Sequence, residues 1–181
     1  MFSIDHVVQE RLPHLSKGHP FVRKTLINLL RYLCHEREFQ QFYQRYPHVE
    51  GIDFVEQALN HFDFAYRVMD REIERIPVQG RLVIVANHPI GSLDGLAVLK
   101  MVADIRPDVR VVANEVLYAL APLRSLLLPV DNLTHKTRKE NIRAIGEWLA
   151  QERVVIIFPA GEVSRLGPSG IRDKKWHAGF L

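Results

Sequence analysis

Leu82-Val83-Ile84-Val85-Ala86-Asn87-His88-Pro89-Ile90-Gly91-Ser92-Leu93-Asp94-Gly95 is the stretch on which the fold turns. Its first five residues form an unbroken apolar run rich in β-branched side chains, the pattern of a strand covered on both faces. Asn, His and Pro then break the run, Gly91 supplies a turn, and Asp94 stands where a carboxylate can cap the helix predicted for Gly-Leu-Ala-Val-Leu-Lys-Met-Val-Ala-Asp-Ile. Strand, turn and helix together make half of a parallel crossover. The same order recurs downstream, with apolar runs at 109–113, 126–130 and 154–158. Between them, Asn114 can cap Glu-Val-Leu-Tyr-Ala-Leu, and Thr137 with Glu140 spells a capping box ahead of 141–152. Repeated β-α order predicts an α/β fold: a mostly parallel sheet flanked by helices.

The chain ahead of this core has a different texture. Phe21, Leu26, Leu29, Leu30 and Leu33 recur near helical spacing over 20–35, with Arg23, Lys24 and Arg31 on other faces. A second helix is predicted over 36–46, carrying Phe39, Phe42, Tyr43 and Tyr46, and a third after Gly51 with Asp53 as its N-cap. The expected organisation is an N-terminal helical region over 1–77 and an α/β core over 78–181. The aromatic stripes suit either internal packing or a basic, aromatic face laid on a membrane, and pattern alone does not choose.

Composition narrows the classes of function. The 181 residues are 47% hydrophobic and 25% charged, enough to bury a core and unlike a disordered chain. The 24 basic and 21 acidic residues leave a net charge of +3, which permits anionic partners but falls short of the basic stripe of a nucleic-acid binder, and none is expected. A single cysteine, Cys34, excludes an internal disulfide and suits the cytoplasm. His6, His14, His19, His35, His48, His61 and His135 lack metal-ligand spacing, so no metal is expected. No run approaches the roughly 20 apolar residues of a membrane span. There is no Gly-x-Gly-x-x-Gly, Walker loop or Gly-x-Ser-x-Gly elbow, so no bound nucleotide is expected.

Ligands of open α/β sheets bind at the carboxyl ends of the strands, which is where His88 falls. A neutral imidazole there can take a proton from an attacking hydroxyl, and a carboxylate such as Asp94 can fix its tautomer. Equally, the two residues can serve only to shape the turn. Five residues separate them, so a turn at Pro89-Ile90-Gly91 has to bring them together. Phe158-Pro159-Ala160-Gly161-Glu162-Val163-Ser164-Arg165 follows the fourth run directly and belongs on the same edge. There Arg165 can meet a phosphate or carboxylate bidentately, and Glu162 can bind substrate or orient Arg165. The alternative is a surface loop with an ordinary ion pair. Arg124, Arg138, Lys139 and Arg143 suit either an anionic head-group surface or solvated helix faces, and Lys174, Lys175 and His177 either a cover over the site or an exposed tail.

Asn87-His88 with a nearby Asp, then Phe158-Pro159-x-Gly161-x-x-Ser164-Arg165, resembles the glycerolipid acyltransferases, the family of 1-acyl-glycerol-3-phosphate acyltransferases, over about 78–181. The resemblance implies that His88 is a general base and Asp94 its orienting acid. It further implies that Asn87, Gly91, Phe158, Pro159, Gly161, Glu162, Ser164 and Arg165 bind substrate. The implied activity is O-acyl transfer from acyl-CoA or acyl carrier protein to the hydroxyl of a lysolipid, without a bound cofactor. Backbone amides near Gly91 or Gly161 would stabilise the oxyanion, and the protein would lie peripherally on the cytoplasmic side of the inner membrane.

Three departures accompany the likeness. The family's His-x4-Asp has gained a residue, its Glu before Gly is Ala160, and its intermediate Arg is replaced by Asn132. The Pro-Ile-Gly-Ser-Leu-Asp-Gly and Phe-Pro-Ala-Gly-Glu-Val-Ser-Arg forms are closer to a bacterial hemolysin-like branch, some of whose members acylate lyso-ornithine lipids. An acceptor with an amino-acid head is therefore expected alongside a phosphate one. Family members continue past the Phe-Pro-x-Gly block, so the chain is expected to be truncated at its C-terminus. Two rival readings keep the fold: a non-catalytic lipid-binding or membrane-docking module, and a hydrolase that delivers the acyl group to water.

Overall fold

The computed structural model describes residues 41–42, 44–118, 120–130, 138–161, 163–167 and 170–176. The chain divides into two compact units, Met1–Val49 and Glu50–Leu181. The helix predicted over 20–35, Cys34, and most of the helix predicted over 36–46 lie outside the described residues. In the first unit, Phe42 is fully buried and its ring centroid lies 5.1 Å from that of Tyr46.

The second unit runs α1 (Gly51–His61), α2 (Asp70–Ile73), β1 (Leu82–Val85), α3 (Ser92–Ala103), β2 (Val109–Asn114) and α4 (Glu115–Tyr118). A 3-10 turn (Ala121–Leu126) then leads into β3 (Leu127–Val130), α5 (Arg138–Leu149), β4 (Val154–Ile157), β5 (Arg165–Gly167) and β6 (Gly170–Arg172). The first four strands form one parallel sheet in the order β1-β4-β2-β3, and helices flank it, as the repeated β-α pattern predicts. Each of the four apolar runs becomes a strand.

β4 comes last of the four in the chain yet lies between β1 and β2, with Val85 opposite Ile157 and Val111 opposite Ile156. Val154, Val155 and Ile156 are each 0% exposed. Only an apolar run without alternation can occupy a strand covered on both faces. Among the described residues β3 pairs with β2 alone and so tolerates Pro129, whose missing N–H would break a ladder bond in a central strand. On α1, Phe54, Val55, Ala58 and Leu59 are buried, and the helix packs on α3 and the 3-10 turn. No helix among the described residues is long and apolar enough to cross a membrane.

Several boundaries differ from expectation. Glu50 rather than Asp53 is the N-cap of α1, and Asp53 falls in its first turn. Gly91 rather than Asp94 precedes α3, whose first turn contains Asp94. The reason is conformational: Gly91 adopts φ 99° and ψ −128°, a region that lets the helix start at once after the turn. Asn114 ends β2, and only the short α4 follows. α5 starts at Arg138, while Thr137 lies outside the described residues. After Arg165 the chain forms an antiparallel hairpin, β5 against β6, with Gly170 at φ 93°.

The amino ends of the strands are tied by one buried cation. Arg106, 4% exposed, donates to both oxygens of Asp108 at 2.9 and 2.8 Å, to the Pro77 carbonyl at 3.0 Å and to the Glu152 carbonyl at 2.8 Å. Those three residues lie just ahead of β2, β1 and β4, so a single guanidinium gathers the start of each. It also holds the Asp108 carboxyl below the usual carboxylate range. Arg106→Met should lose about 2–3 kcal/mol in urea unfolding, because it strands two carbonyls and a partly exposed carboxylate. Since the folded Asp108 value lies below the unfolded one, the pair stabilises the fold at neutral pH and the gain disappears as pH falls through the folded value. The gap between wild type and variant should therefore narrow in acid to what the two stranded carbonyls cost.

Candidate active site

Because β1 and β4 are direct neighbours, the chain segments after them leave the sheet side by side. Ala86 N–H makes the last ladder bond, to the Ile157 carbonyl at 3.2 Å, and the next residues on both strands are free to turn. The His88 and Phe158 rings stack there, centroids 4.3 Å apart at 29°. Ser164 N–H donates to the His88 carbonyl at 2.8 Å. The two motifs thus meet on one edge, at the carboxyl ends of the strands.

His88 and Asp94 come together. Nδ1 lies 2.6 Å from Asp94 Oδ1, with the side chains 20% and 14% exposed. Both atoms are sealed from solvent, and among the described residues neither has another polar partner, although the contact sits off the axis of a straight hydrogen bond. The other carboxylate oxygen, Oδ2, accepts the main-chain N–H groups of Ile90 at 2.6 Å and Gly91 at 3.3 Å. The added residue is thereby absorbed in a turn at Pro89-Ile90-Gly91. At Gly91 a Cβ would combine positive φ with a 3.3 Å approach to Val163, so both backbone and packing require glycine. Gly95 provides the floor of the ring: a side chain begun there would put its Cβ 3.4 Å from His88 Cε1. A carboxylate only accepts, so in the neutral ring the proton belongs on Nδ1 and the basic lone pair on Nε2.

The second motif closes into a tight turn, in which Gly161 at φ 69° donates its N–H to the Phe158 carbonyl at 3.0 Å. Pro159 and Ala160 are buried, and Ala160, at 4% exposure, leaves no room for a solvated carboxylate where the related family has Glu. Asn87 is exposed beside His88. Arg165 opens β5, its backbone paired with Arg172. Glu162 and Asn132 lie outside the described residues, as does His177. The amides of Gly91 and Gly161 themselves bond to Asp94 and Phe158 within their own turns.

The cations read as a possible head-group surface divide. Arg124 donates to the Tyr118 carbonyl at 3.1 Å and Arg143 pairs with Glu147 at 2.7 Å on an exposed helix face, so both serve local structure. Arg138 and Lys139 open α5, and Lys174 and Lys175 are exposed. No cluster of three or more His, Cys, Asp or Glu able to hold a metal occurs among the described residues.

Asp173 escaped the sequence reading. It accepts the Ser164 hydroxyl and the Trp176 indole N–H at 2.7 Å. These donors, Ser164 foremost, hold its carboxyl below the usual range. Nothing in the linear pattern marks it, because only the β5–β6 hairpin brings it back to Ser164.

The lyso-glycine lipid O-acyltransferase of Bacteroides thetaiotaomicron is 28% identical over 183 residues, an alignment covering 100% of this chain and 65% of that protein. The lyso-glycine lipid O-acyltransferase of Phocaeicola vulgatus is 26% identical over 166 residues, covering 91% of this chain and 58% of the relative. The chain thus spans less than two thirds of the length of either. No solved structure matches it. The sequence profile of the family described as acyltransferase matches residues 6–181, so that the chain belongs to the acyltransferase family.

Proposed function

We propose that this chain forms the catalytic core of a lysolipid O-acyltransferase, with His88 as general base and Asp94 as the group that orients it. The observation that carries the reading is the solvent-sealed 2.6 Å contact between His88 Nδ1 and Asp94 Oδ1 at the carboxyl edge of the sheet. Family membership and the two lyso-glycine lipid O-acyltransferases support it. In the reaction, Nε2 takes the proton of the acceptor hydroxyl as that oxygen attacks the carbonyl of an acyl thioester, from acyl-CoA or acyl carrier protein. The tetrahedral intermediate collapses, the carbon–sulfur bond breaks, and the imidazolium returns its proton to the departing thiolate. Asp94 stabilises the imidazolium in between. With Gly91 and Gly161 engaged, the oxyanion falls to the leading amides of α3, which no carbonyl of their own helix can reach.

The acceptor in this reading is a lysolipid with an amino-acid head. An amino acid linked through its amine keeps a free carboxylate, a group that an arginine such as Arg165 can receive bidentately. The protein would work on the cytoplasmic face of a membrane, to which it binds peripherally, and neither a cofactor nor nucleic acid enters the reaction.

His88→Ala should abolish transfer with melting unchanged; a folded variant with near-normal turnover would remove His88 as base. Asp94→Asn should lower kcat roughly a hundredfold or more. Its amide oxygen can still accept the Ile90 and Gly91 N–H groups, so the fold should survive, as thermal melting checks. Lyso-glycine and lyso-ornithine lipids should give higher kcat/KM than lysophosphatidate, and the reverse order would exclude the amino-acid head. Free fatty acid released without any acceptor would instead mark a hydrolase. Arg165→Ala should raise KM for the lipid acceptor by more than it raises KM for the thioester.

A further inference from the structure

We propose that Asp173 is a positioning residue for the reaction, and that the β5–β6 hairpin is a clasp that holds the backbone of His88 in place. The proposal rests on the reading of His88 as base. β1 ends at Val85, so His88 stands beyond the ladder and its main-chain groups have no strand partner. Two residues that flank a single hairpin act in series on one of those groups. Ser164, immediately before β5, donates its N–H to the His88 carbonyl at 2.8 Å. Asp173, immediately after β6, holds Ser164 in turn by accepting its hydroxyl. Pairing of Arg165 with Arg172 closes the hairpin between them.

The residue type follows from the donors. A hydroxyl and an indole N–H converge on this one side chain, one on each oxygen, and an acceptor-only group with two oxygens satisfies both. Asparagine would turn an NH2 toward at least one of them. Those same donors, Ser164 foremost, hold the carboxyl below its usual range, so it stays ionised and keeps its grip on Ser164. Backbone placement matters because a misplacement of about 1 Å at a reacting group can lower the rate on the order of a hundredfold.

The test uses the full chain with palmitoyl-CoA and lyso-glycine lipid, and compares Asp173→Asn, Asp173→Glu and Ser164→Ala with wild type. Asp173→Asn should lower kcat about 10- to 100-fold with both KM values within about twofold. Amide hydrogen exchange should accelerate across 87–91 while β4 remains protected, and Asp173→Glu should recover part of kcat. If Asp173→Asn lowers the melting temperature, Ser164→Ala, which keeps the carboxylate and removes one donor, should still reduce kcat at constant KM. Unchanged kcat in both variants overturns the proposal. So does a loss confined to KM for the lipid, which would make Asp173 a head-group ligand. Unchanged exchange at 87–91 in Asp173→Asn overturns the clasp whether or not His88 is the base, whereas normal turnover by His88→Ala overturns the base alone.

Discussion

The parallel pairing of β1 with β4 is the constraint from which the site follows. Neighbouring strands lie about 4.8 Å apart, so residues just beyond the ends of two paired strands are within side-chain reach. In a sheet ordered by sequence, β1 and β4 would stand three spacings apart, roughly 14 Å, and Phe158 could not stack on His88. The observed order β1-β4-β2-β3 removes that separation and leaves a ring contact of 4.3 Å. The contacts between the two motifs, including the Ser164 bond to the His88 carbonyl, depend on this adjacency.

The two ends of the sheet solve different problems. At the amino ends, Arg106 gathers three approaching segments around one guanidinium. Nearby, Trp148 donates to the Val154 carbonyl at 3.1 Å, and Arg110 and Arg153 lie 3.8 and 4.1 Å from its ring centroid, which ties α5 to the start of β4. Those interactions are local and well satisfied. At the carboxyl ends, by contrast, glycines at positive φ and a solvent-sealed imidazole–carboxylate pair stand on short turns. Rigidity is placed at one end and reactive groups at the other, the usual division in open α/β sheets.

What was legible in the sequence is what depends on local pattern. Four short runs dominated by apolar, mostly β-branched residues marked four strands, although Arg110 interrupts the second. The motif residues were legible as an edge, since each follows a run directly. Strand order was not, because nothing in Val154-Val155-Ile156-Ile157 says which neighbours it will have. Asp94 shows how a choice can dissolve: capping and pairing looked like alternatives, yet Oδ2 accepts the turn amides while Oδ1 faces His88. The hairpin escaped because strands of three residues are too short to display alternation, and Asp173 escaped with it. Glu162, Asn132 and the helix predicted over 20–35 fall outside the described residues.

The late arrival of the central strand also governs how the molecule can be made. During synthesis, β1, β2 and β3 leave the ribosome before β4 exists, so the nascent sheet has a vacant slot between β1 and β2 with both flanking ladders unsatisfied. Cooperative folding must then wait for 154–157, and these contacts are distant in sequence and slow to form. Until that moment, the unpaired edges of β1 and β2 are open to other chains.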